Sequence, residues 1–133
     1  MDALIVQSKL ESLRLCVLRL EQKCPKTLAL LEQDIDAQDI LSVNLSRAVQ
    51  LCVDLAMHRI AGMGQKVPPT MAGCFELLQK EEVLGIDLLN QLKRAVGFRN
   101  LIVHQYDEID WAIVFQICTV HLNTFKQFAR IFN

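Results

Sequence analysis

At 133 residues the chain is long enough to bury one sizeable core and does not require a second domain. An apolar fraction of 52% with 22% charged excludes a disordered chain, and 6% aromatics with 5 glycines, beside many Leu, Ala, Gln, Lys and Glu, disfavours an all-β fold. The formal net charge of -1 supplies no global basic field, so any contact with nucleic acid has to be local.

Taken in order, residues 3–23 repeat apolar positions at helical spacing through Leu4, Leu10, Leu13, Val17 and Leu20, which predicts a long amphipathic helix. Pro25 interrupts it, and 27–33 is apolar but short, one or two turns or an ordered connection. The pattern then runs unbroken over 36–62, starting on acidic residues and stopping at Gly62 and Gly64, and predicts the longest helix. Val67-Pro68-Pro69-Thr70 is a turn with Thr70 as N-cap to a short helix over 71–82. Gly85 separates it from a helix over 86–104 with Leu88, Leu89, Leu92, Ala95 and Val96 on its apolar face. After a polar break, Asp110 is placed to cap a final helix over 111–132. The fold class expected is all-α, an up-and-down helical bundle of four long helices plus one short helix, with 1–133 as a single domain.

Five cysteines, Cys16, Cys24, Cys52, Cys74 and Cys118, form no CxxC pair, and the reading is buried reduced thiols with no metal site. The N-terminal stretch lacks a basic segment followed by an apolar run, and about eighteen uncharged apolar residues never run together. The expectation is a soluble cytoplasmic protein with no membrane partner.

Chemically capable side chains concentrate in Arg99-Asn100-Leu101-Ile102-Val103-His104-Gln105-Tyr106, at the end of an otherwise apolar helix. At about 100° per residue Asn100 and His104 share a face, whereas Arg99 and His104 are offset by about 140°. A histidine titrates near neutrality and an arginine offers a fixed fork of donors to phosphate, which together suit phosphodiester cleavage without a metal. The same residues also have an ordinary reading: Arg99 capping carbonyls, His104 as a helix-terminal histidine, Tyr106 packing its ring with its hydroxyl in water. Spacing alone does not decide between the two. In the long helix Asn44, Arg47, Asp54 and His58 fall along one polar stripe and are candidates for a second wall of a cleft, or else a solvated stripe or a structural ion pair. Asp54 and His58 are too few ligands for zinc, and His121 is read as structural.

Arg99-Asn100-x-x-x-His104-x-Tyr106 resembles the Arg-polar-x-x-x-His core of the HEPN superfamily, with the tyrosine typical of its HepT branch. The run Asn44-Leu45-Ser46-Arg47-Ala48-Val49-Gln50-Leu51-Cys52-Val53-Asp54-Leu55-Ala56 in the long helix, followed by the turn, the short helix and the motif helix, is similar to that branch over nearly the whole chain. The resemblance implies an all-helical homodimer whose motif regions face each other across a cleft. It implies a metal-independent endoribonuclease without cofactor, acting as the toxin of a toxin–antitoxin pair, with Arg99, Asn100 and His104 as catalytic residues. The partner it implies is a small nucleotidyltransferase of the MntA type, which transfers AMP onto Tyr106. Asn44, Arg47 and Asp54 would line the cleft. The other functions to weigh are a non-catalytic HEPN binding module that pairs with a nucleotidyltransferase, and a helical dimer with no chemistry.

Overall fold

The computed structural model describes residues 3–133, and these fold entirely into helices and connections. In chain order they are α1 Ala3–Lys23, α2 Leu28–Gln33, α3 Ile35–Gly62, α4 Met71–Lys80, α5 Ile86–His104, a single 3₁₀ turn Tyr106–Glu108, α6 Trp111–Val120 and α7 Asn123–Arg130.

The 28-residue α3 is the axis of the molecule and packs against α1, α2, α4, α5 and α7. Leu41, Leu45, Ala48, Cys52, Leu55, Ala56 and Ile60 recur at helical spacing and are all buried. Leu13, Cys16, Val17 and Leu20 of α1 close one side of this core, and Phe75, Leu78, Phe125 and Phe128 fill the other, with Phe75 and Phe128 meeting edge to face at 5.5 Å. By length and composition α3 could cross a membrane, yet 56% of its most apolar window is buried inside the protein, as a core helix requires.

Helix starts follow side-chain chemistry. Thr27 accepts from the Leu30 amide, Asp34 from Ala37, Thr70 from Gly73 and Asp110 from Ala112, each satisfying an N-terminal N–H that the helix itself leaves unpaired. Asp34 does double duty, since its own N–H also bonds the Leu31 carbonyl and closes α2. The ambiguous segment before α3 is thus a real helix of six residues. The end of α3 is fixed by Gly64 at φ 74°, and α4 stops two residues before the sequence pattern does, because Glu82 turns into the left-handed region at φ 61°.

The bundle of four long helices plus one short is not the arrangement observed. Only α1, α3 and α5 are long, and the expected final helix is two. Val114, Cys118, Leu122, Phe125 and Phe128 would make one continuous stripe, but the chain leaves the helix at His121 and restarts at Asn123. Just before the break, the Thr119 hydroxyl donates to the Phe115 carbonyl, a back-bond that loosens the last turn of α6. Just after it, the buried Thr124 hydroxyl donates to Gln91 Oε1 of α5, which fixes α7 in its own direction. All five cysteines are free thiols, four of them buried and Cys24 half-buried.

Candidate functional site

The motif occupies the last turn of α5 and the turn after it. Leu89, Leu92 and Val96 bury one face of α5 and Phe98 is buried on the opposite side, and the helix stays regular to His104, so Arg99 and His104 leave it in different directions. The Gln105 N–H bonds the Leu101 carbonyl at 2.8 Å, ending the helix, and Tyr106–Glu108 then forms the 3₁₀ turn. Buried Ile109 and the Asp110 cap on α6 pin the far end of that turn. A short, doubly anchored connection therefore presents Tyr106.

Arg99 is half-buried, Asn100 and His104 are exposed. The Arg99 guanidinium donates through Nη1 to Asn100 Oδ1 at 3.2 Å, while its Nε is buried with no partner. Among the described residues Arg99 has no carboxylate counterion, which leaves a partly desolvated cation open to an anion. Alongside α5 lies a cavity of about 500 Å³ walled by Phe98, Leu101, Ile117 and Phe125, with Arg94, Gln91 and His121 also on its lining.

Tyr106 is 39% exposed, and its ring meets Trp111 of α6 edge on at 6.0 Å. Its hydroxyl donates to Asp39 Oδ1 of α3 at 2.8 Å, across 67 positions of sequence. Partial burial, and next the bond to the Asp39 carboxylate, hold the phenol above its ordinary pKa; the neighbouring Ser42 hydroxyl acts in the opposite direction. Ser42 is buried beside the tyrosine without closing a hydrogen bond of its own.

The residues of the stripe Asn44, Arg47, Asp54 have separate partners within the chain. Asn44 is 4% exposed and its amide donates back to the Ile40 carbonyl of its own helix. Asp54 is ion-paired with Lys9 of α1 at 3.2 Å and accepts from Gln50 at 2.9 Å. Arg47 lies on the same flank, near Cys16 of α1. His58, further along the stripe, is half-buried with its Nε2 unpartnered. Asp54 ties this flank of α3 to α1 and Arg47 lies beside it, whereas the α3 side chains that reach the motif are Asp39 and Ser42. Sequence reading passed over both: an acidic residue in the first turns of a helix looks like a dipole partner, and a lone serine looks neutral. Their offset from the Asn44 stripe is visible only once Tyr106 is seen to fold back on α3.

The family model described as ribonuclease HepT-like matches residues 13–131. The chain is 31% identical over 127 residues to the mRNA nuclease HepT of Shewanella oneidensis, covering 96% of this chain and 95% of that one. It superposes with a TM-score of 0.92 on the crystal structure of a toxin–antitoxin with AMP-PNP, at 28% identity and full coverage of both chains. A second solved structure, the tri-AMPylated Shewanella oneidensis HEPN toxin in complex with its MNT antitoxin, gives a TM-score of 0.90 at 30% identity, with 98% of this chain and 97% of that one covered. With an all-helical fold, a motif at the end of α5 and a family match over nearly its whole length, the chain belongs to the ribonuclease HepT-like family of HEPN proteins.

Proposed function

We propose that the chain is a HEPN toxin ribonuclease: a metal-independent endoribonuclease of the cytoplasm, active as a homodimer and silenced by an MntA-type nucleotidyltransferase that adds AMP to Tyr106. The observation that carries this reading is Arg99, half-buried and, among the described residues, without a carboxylate, next to exposed Asn100, which lies about one turn before exposed His104. A cation desolvated without a counterion is costly unless an anion visits it, and a phosphodiester is such an anion. The relatives support the same activity, one of them being an mRNA nuclease and another an AMPylated toxin bound to its antitoxin.

In this mechanism His104 takes the proton from a ribose 2'-hydroxyl, whose oxygen attacks the adjacent phosphorus. The 5'-oxygen leaves with a proton from a second acid, giving a 2',3'-cyclic phosphate. Arg99 binds the scissile phosphate and stabilises charge growing on its oxygens, and Asn100, already bonded to it, sets its orientation. Because Arg99 and His104 diverge on one regular helix, two copies facing each other would let the arginine of one serve the histidine of the other. AMP on Tyr106 would place an anion and an adenosine beside this site and repel RNA by charge and bulk.

The test is induction of the wild-type chain beside Arg99→Ala and His104→Ala, with and without the nucleotidyltransferase. Growth arrest and RNA ends bearing 2',3'-cyclic phosphate from the wild type alone are expected; identical behaviour of all three would reduce the motif to a docking surface.

A further inference from the structure

We propose that α3 carries the machinery that activates Tyr106 for nucleotidyl transfer, with Asp39 as the general base for its hydroxyl and Ser42 as a hydrogen-bond donor to the oxygen as charge develops on it. The inference rests on Tyr106 being the AMP acceptor.

Three observations converge. The Tyr106 hydroxyl donates to Asp39 Oδ1 at 2.8 Å, the geometry from which a proton is handed over. Among the described residues Asp39 forms no ion pair, so its carboxylate is not neutralised by a competing cation. Ser42, one turn along α3, is 3% exposed, lies beside Tyr106 and has an unpartnered hydroxyl. A buried hydroxyl left without a partner is uncommon and costly to desolvate, so it calls for an explanation. A phenol oxygen that loses its proton supplies one, because it becomes an acceptor for that O–H.

A lone pair of Tyr106 Oη attacks the α-phosphorus of a nucleoside triphosphate held by the transferase, and the Oη–P bond forms. The bond from that phosphorus to the bridging oxygen breaks, and pyrophosphate leaves with the electron pair. The phenolic proton passes to the Asp39 carboxylate and from there to water. A carboxylate is a weak base, yet phosphoryl-transfer enzymes commonly use an aspartate to accept the acceptor's proton late in a loose transition state. Here that aspartate belongs to the acceptor protein. The rigid anchoring of the Tyr106–Glu108 turn keeps the hydroxyl on α3 before the partner arrives, so orientation is largely fixed in advance. The product phosphodiester is an anion beside Asp39, and the two repel, which turns the modified side chain off α3 and toward the motif.

The experiment is single-turnover transfer from ATP labelled at the α-phosphate, with purified MntA-type antitoxin in excess, onto wild type, Tyr106→Phe, Asp39→Asn, Asp39→Glu and Ser42→Ala, each checked for a folded helical spectrum. Label on wild type and none on Tyr106→Phe is the result on which the acceptor reading stands. Asp39→Asn is expected to slow the rate at saturating antitoxin by about 100-fold, with the half-saturating antitoxin concentration unchanged. Asp39→Glu should recover much of that loss and Ser42→Ala lose about tenfold. Wild-type rates in both Asp39→Asn and Ser42→Ala would overturn the proposal while leaving Tyr106 as acceptor. An unlabelled wild type would sink the acceptor reading and the proposal together.

Discussion

Arg99 and Tyr106 illustrate how a residue's neighbours set its task. Among the described residues the Arg99 guanidinium is tied only to Asn100 and keeps a buried Nε unpaired, so its charge is available. Replacing it with lysine retains the charge but loses the planar fork, so Arg99→Lys should cleave RNA far more slowly than wild type in a fluorescent-oligonucleotide assay. With His104 in the proposed role of proton acceptor, His104→Ala should cost about 10²–10⁴-fold in the same assay. The motif stands out in the sequence because polar residues crowd the end of an apolar helix. Asp39 and Ser42 do not, because nothing local ties them to a tyrosine 67 positions away.

At the level of single helices, boundaries rest on short-range bonds that a sequence displays well. Thr70 and Asp110 were readable as caps, and both are. Asp34 closes α2 and opens α3 at once, so Asp34→Ala should destabilise the protein by about 1 kcal/mol in denaturant titration, and by fraying α3 it should loosen Asp39 as well. Gly97 sits inside α5, exposed, with open space where a Cβ would go. Gly97→Ala should therefore raise stability by about 0.5–1 kcal/mol in the isolated chain. A loss instead would mean that this part of α5 is pressed against another molecule. The break between α6 and α7 was not legible, since the apolar stripe runs straight through it. It is decided by Thr119 bonding back to Phe115 and by Thr124 reaching Gln91 on α5, the second of these a partner brought in by folding.

The whole molecule is a 15.1 kDa unit around α3, and light scattering should report twice that mass if the composite site is correct. A species of 15.1 kDa at working concentrations would dismantle the trans arrangement of Arg99 and His104. The core also sets a limit in alkali. Burial pushes the Cys52 thiol well up and that of Cys118 up to about 12, against about 8.5 in an unfolded chain. Above pH of about 8.5 the unfolded chain releases these protons while the folded one holds them, so stability present below that pH is lost as pH rises toward the folded-state values. Thermal melts should fall through that range, and less steeply in a Cys52→Ala variant that still folds.

The sequence by itself determined the helical class, the extents of α1 and α5, the caps Thr70 and Asp110, and the place of the motif, because helical periodicity, capping and the grouping of Arg99 to Tyr106 are local properties of the chain. Only the tertiary structure decided that α6 and α7 are separate, that Arg47 and Asp54 lie toward α1, and that Asp39 and Ser42 meet Tyr106. Those outcomes depend on which faces of distant helices come together, and side-chain spacing along one helix carries no information about its partner's rotation.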